Sequence, residues 1–99
     1  MKKIINEKEF NALKDKSSIS IVKFGQEGCM PCLIAGETLA ELEKQFPQIY
    51  FYECEDIDLM QKLGITNLPV IYIITLDKQT KIDAYNCLDD LEETITKLI

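Results

Sequence analysis

The 99-residue sequence contains no histidine and no tryptophan, and it has only three prolines and four glycines. Structural zinc sites take four ligands, so without histidine such a site in one chain would need all four cysteines or a carboxylate. Basic clusters are missing too. Nothing longer than Lys2-Lys3 occurs, and the formal net charge of −6 argues against a nucleic-acid surface. No apolar run approaches the ~20 residues that span a bilayer, and MKKIINEKEF holds no apolar stretch that would serve as a signal-peptide core. The chain therefore reads as cytoplasmic, with neither membrane nor nucleic acid among its partners. Repeats, linkers and low-complexity tracts are absent as well, which leaves one domain over residues 1–99.

What is present is ordinary globular material, 46% hydrophobic and 28% charged. A chain of this size buries roughly two thirds of its unfolded surface, enough for a core without covalent staples. The pattern along it alternates. KKIIN (2–6) is a short strand and 7–15 a short helix with Phe10 and Leu13 on one side. SISIVKF (18–24) is a buried, β-branched strand, broken by the segment from Gly25 to Gly28. Residues 31–46 are helical, with Leu33, Leu39, Ala40, Leu42 and Phe46 as the apolar stripe and Glu37, Glu41, Glu43 and Lys44 facing water. IYFYECE (49–55) is a strand in which Tyr50, Phe51 and Tyr52 are sheet residues, and 56–64 is a short helix closed by Gly64. VIYIITL (70–76) is the strongest strand, DKQT (77–80) a turn, KIDAYN (81–86) a strand and 88–99 an amphipathic helix. The order β-α-β-α-β-α-β-β-α predicts an α/β fold, a central mixed sheet flanked by helices.

Two cysteines stand out in EGCMPCL (27–33). Cys29 and Cys32 fall where a buried strand passes into a helix N-terminus. There the unpaired N–H groups and the positive end of the helix dipole lower a thiol pKa and make it nucleophilic. Cys29, at the mouth of the helix, is the expected attacking thiol, and Cys32, one turn in, the resolving one. Pro31 suits a first helical turn, where its missing N–H is not needed. In a cytosolic chain four cysteines are not a disulfide framework, and a close pair is catalytic or metal-binding. Cys54 lies mid-strand and reads as a small core residue, and Cys87 at a strand end, so a four-cysteine site in one chain is disfavoured. A metal bridged by Cys29 and Cys32 of two chains is the better metal alternative, and a structural or regulatory pair in a binding module is the other.

With GITNLPV at 64–70 added, the chain resembles the thioredoxins. These carry a C-G-P-C motif at a strand–helix junction and, further along, a proline in a cis peptide bond facing the cysteines. CMPC at 29–32 and Pro69 are the matching residues, and the element order matches over essentially the whole chain. The resemblance implies a thioredoxin fold, a cis Leu68–Pro69 bond, and a substrate groove made by Gly28, Met30, Pro31, Leu68 and Pro69. It implies that Pro69 keeps the pair from binding metal and that the backbone of Leu68 pairs with an extended substrate segment. The implied activity is reduction of protein disulfides through Cys29 and Cys32. It would need no bound cofactor, would draw electrons from a reductase or another thiol donor, and would be carried by a monomer.

The departures from the family are as informative. Gly28 stands where thioredoxins have tryptophan, and Gly25 where an aromatic follows the strand phenylalanine. Lys23 replaces the buried acid beneath the resolving cysteine, and Glu53 stands roughly where the family has a lysine. The two are expected to form the same pair with signs exchanged, with Glu53 as the proton acceptor. Val70 replaces a threonine, Asn86 a glycine, and Cys87 follows as a possible extra thiol. Gly28 and Met30 predict a flatter, softer rim, and with it a dedicated electron donor or a narrow substrate range.

Overall fold

The structure, a computed structural model, describes residues 1–76, 78–83 and 88–99. Asn86 and Cys87, named above, lie outside the described residues. Five strands, β1 (Lys2–Ile4), β2 (Ser20–Phe24), β3 (Tyr50–Cys54), β4 (Val70–Thr75) and β5 (Lys78–Asp83), form one sheet in the order β1-β3-β2-β4-β5. β1, β3 and β2 run parallel, β4 pairs antiparallel with β2, and β5 pairs antiparallel with β4. Helices α1 (Glu7–Ala12), α2 (Met30–Gln45), α3 (Ile57–Lys62) and α4 (Leu88–Leu98) complete the order expected from the sequence.

The strand pleat separates two cores. On one face Val22, Phe24, Tyr52, Cys54, Tyr72 and Ile74 pack against Phe10 and Leu13 at the α1 end and Leu59 and Met60 of α3. Phe10, Phe24 and Tyr72 meet edge to face at centroid distances of 5.5–5.6 Å, the arrangement aromatic quadrupoles favour. On the other face Ile21, Phe51, Ile71 and Ile73 pack against Leu39 and Leu42 of α2 and Leu91 and Ile95 of α4. Local signals start the short helices. Asn6 caps α1 by accepting the Glu9 N–H at 2.9 Å, and Asp56 caps α3 by accepting from Leu59 at 3.1 Å.

Four details differ from the sequence reading. α1 stops at Ala12 and residues 13–15 form a 3₁₀ turn, because the Leu13 N–H bonds the Phe10 carbonyl three residues back. Residues 78–80 are strand, not turn: β5 pairs as far as Thr75↔Lys78, and the polar side chains of this edge strand hid a ladder carried by the backbone. Cys54 is the last residue of β3, not a mid-strand residue. In α2 the stripe begins at Cys32 and Ala35, which are buried, while Leu33 is 58% exposed. The helix approaches the sheet through these small side chains, so its larger neighbours Met30, Leu33 and Ile34 turn outward.

Burial holds the Cys54 thiol above its ordinary value of 9.0, outweighing the Asp56 N–H that donates to its sulfur. A raised acid pKa in the folded state stabilises the fold below the unfolded pKa and loses that contribution as pH rises. Stability of the wild type relative to Cys54→Ala should therefore be constant at neutral pH and fall above about pH 9, measured by urea denaturation. A difference that does not change with pH would show that the thiol ionises as freely in the fold as in the open chain.

Candidate active site

β2 is the middle strand, and beyond Phe24 the chain leaves the sheet at Gly25, whose N–H donates to the Cys54 carbonyl at 3.1 Å. Gly28 then takes φ +79°, a left-handed conformation that a side chain with a Cβ strains. This turn delivers Cys29 as the N-cap of α2, in an extended conformation, with Met30 and Pro31 in the first turn.

Cys29 and Cys32 are joined by a disulfide with their Cα atoms 5.2 Å apart. The Cys29 sulfur also accepts the Cys32 N–H at 3.2 Å, standing where a serine or aspartate oxygen stands in an ordinary helix cap. Cys32 is 3% exposed and Cys29 half-buried, so the outer sulfur is the accessible one. Met30 and Pro31 are exposed beside it. At 64% exposure Met30 projects from the helix start as a flexible apolar side chain.

Beneath the pair lies a charge. Lys23 and Glu53 are register neighbours across the parallel β2–β3 ladder and point to the α2 face. Their ion pair measures 3.6 Å, with side-chain exposures of 12% and 27%. Glu53 is thus half-buried, and the lysine is the deeper partner. Its ammonium also donates to the Cys32 carbonyl at 3.5 Å. Two glycines make room. A Cβ at Gly36, one turn further along α2, would stand 3.0 Å from the Lys23 Nζ. A Cβ at Gly25 would stand 3.1 Å from the Cys32 Cβ and 3.3 Å from its sulfur.

The Leu68–Pro69 bond is cis and Pro69 is buried. Val70 pairs with Phe24, so this segment sits at the same end of the sheet as the Cys29 loop. Leu68 is half-buried against the core under α1 and α3. Cys54 faces that same core, on the side of the sheet away from α2, and is a free thiol apart from the pair. Between the α2 N-terminus and the ends of β2 and β3 opens a cavity of about 320 Å³, with Gly25, Cys29 and Cys32 in its lining. Among the described residues no group of three or more histidine, cysteine, aspartate or glutamate side chains is arranged to hold a metal ion. Nor is any helix there long and apolar enough to cross a membrane.

Gly36 escaped the sequence reading although a signal was present. A glycine inside an otherwise good helix costs about 1 kcal/mol relative to alanine, and such a residue commonly answers a packing need. Glu27 and Glu55, which also line the cavity, carried no such signal.

The sequence matches no protein-family model and no curated protein. The structure, however, is similar to solved thioredoxins along nearly their whole length. Fasciola hepatica thioredoxin superposes with a TM-score of 0.85 at 22% identity, covering 98% of both chains. Plasmodium falciparum thioredoxin gives 0.83 at 20% identity over all of both chains. The oxidised form of mitochondrial thioredoxin 3 from Saccharomyces cerevisiae gives 0.83 at 23%, covering 98% of this chain and 94% of that one. The chain has the thioredoxin fold.

If Gly36 exists to admit the Lys23 ammonium, Gly36→Ala should bring none of the usual helix gain in the wild type. In a Lys23→Met background the same change should stabilise by about 1 kcal/mol. Urea denaturation of the four oxidised proteins tests this double-mutant cycle, and an equal effect in both backgrounds would sink the idea.

Proposed function

We propose that this protein is a thioredoxin-like dithiol–disulfide oxidoreductase that reduces protein disulfides through Cys29 and Cys32. The observation that carries the reading is the pair itself: one accessible and one buried sulfur at the N-terminus of α2, with the outer sulfur held by a helix N–H. In the reduced protein the same N–H and the helix dipole favour a thiolate at Cys29.

Catalysis then runs in two displacements. The Cys29 thiolate attacks one sulfur of a substrate disulfide. The substrate S–S bond breaks, a mixed disulfide forms, and the first substrate thiolate leaves and takes a proton from water. Cys32, once deprotonated, attacks the Cys29 sulfur. The second substrate thiolate leaves, and the Cys29–Cys32 bond seen here is the product. Two electrons have passed to the substrate, and a thiol donor or reductase must return them.

Glu53 is the proton acceptor in the second displacement, since it lines the same cavity as Cys32. Lys23 is a positioning residue: it holds Glu53 and, through the Cys32 carbonyl, the first turn of α2. Gly28, Met30, Pro31, Leu68 and Pro69 form the groove in which an extended substrate segment lies. No cofactor is needed. The protein works as a single-domain monomer in the cytoplasm, acting mainly as a reductant.

The couple is tested by equilibrating the protein in dithiol/disulfide buffers of graded potential, alkylating it and counting free thiols by mass. Cys29 and Cys32 should lose their thiols together, near the potential of about −270 mV typical of thioredoxin. A transition that never involves both would overturn the reading and favour a binding or metal-bridged module.

The proton path has its own test, in single-turnover resolution of a mixed disulfide preformed on Cys29. Glu53→Gln should slow release about tenfold or more and shift its pH dependence, the behaviour of a lost general base. An unchanged rate and pH profile would remove Glu53 from the mechanism.

A further inference from the structure

The cavity beside the disulfide is built from unlike materials. From α2 come Met30 and Leu33, 64% and 58% exposed, an apolar wall next to the reactive sulfur. From the end of β3 and from the loop before Cys29 come three carboxylates, Glu53, Glu55 and Glu27. Lys23 also reaches the cavity, but its charge is committed to Glu53 and to the Cys32 carbonyl. Glu27 and Glu55 are exposed, and neither is ion-paired among the described residues. Gly25 lines it with backbone alone, and a Cβ there would press on Cys32.

We propose that this cavity is a subsite for a lysine or arginine side chain adjacent to the half-cystine that Cys29 attacks. The inference rests on the exchange reading above and names the class of substrate it selects. A basic side chain is amphipathic: an apolar stem carries a charged head, and it seats best where an apolar surface ends at opposite charge. Met30 and Leu33 cover the stem, and Glu27 and Glu55 meet the head. An acidic side chain in the same place faces two unmatched carboxylates, and an aliphatic one reaches the helix wall but leaves the acidic end in water. At about 320 Å³ the space lies at the low end of the range of about 300–1,000 Å³ for small-ligand sites, which suits one side chain of a bound peptide.

The test uses the reduced full-length protein and short peptides closed by one disulfide, identical except for Lys, Ala or Glu beside one half-cystine. Second-order rate constants are read by quenching with an alkylating agent and weighing the products. Partly exposed charge pairs are individually modest, so the Lys peptide should react about three- to tenfold faster than the Ala peptide, and the Glu peptide slowest. Glu27→Gln/Glu55→Gln should bring the Lys-to-Ala ratio close to one. Removing the same charge from α4, in Glu92→Gln/Glu93→Gln, should leave the ratio where it was. That control matters because the net charge of −6 attracts any cation from a distance.

A ratio that survives the first double variant, or falls equally in both, would overturn the subsite. If all three peptides react at the same rate, the subsite fails and disulfide exchange stands. If none reacts, the exchange reading fails and takes the subsite with it.

Discussion

A strand in the middle of a sheet has neighbours on both edges and helices on both faces, and β2 has to carry a lysine through that position. A buried ammonium is tolerated only when it is paired and hydrogen-bonded, because leaving water costs it several kcal/mol. The surrounding structure answers that requirement. Parallel pairing with β3 places Glu53 at its side, the α2 backbone offers the Cys32 carbonyl, and the helix gives up a side chain at Gly36. Lys23 and Glu53 line the same cavity as the cysteine pair, and Gly36 lies one turn beyond Cys32. The geometry of the disulfide and the housing of one charge are therefore one packing problem.

The cysteines sit where that solution and the helix terminus coincide. Cys29 has the half-buried cap position and the N–H of Cys32, whereas Cys32 is sealed against Gly25 and the sheet. The asymmetry distinguishes two chemically identical side chains: one sulfur is open to solvent, and the other is covered. Gly25 and Gly28 line the cavity next to the accessible sulfur with backbone alone. The acid supplied by the end of β3 and by the loop before Cys29 gives that cavity its character.

Much of this is legible in the sequence. The β-branched run before Gly25 and the helical pattern after Pro31 placed CMPC on a strand–helix junction, since the two periodicities differ and their change marks the boundary. Pro69 before the strongest strand supplied the second mark. Legibility failed where one-dimensional pattern and three-dimensional packing part company. Leu33 looks like a core residue because leucine usually is one, but the small side chains of Cys32 and Ala35 let the helix close on the sheet and turned Leu33 outward. Lys78, Gln79 and Thr80 look like a turn because they are polar, yet an edge strand is held by its backbone ladder and need not be apolar.

The sequence by itself determined the element order, the junction that carries the cysteines, and the residue types available to them, because these depend on local periodicity, turn chemistry and spacing. Tertiary structure decided which of those residues meet. Lys23 and Glu53 become partners only through strand register. Gly36 meets the Lys23 ammonium only when α2 lies over β2, and Glu27, Glu55, Met30 and Leu33 share a cavity only after a helix and two strand ends converge. Contacts between residues far apart in the chain are set by the packing of whole elements, and no window of sequence contains that information.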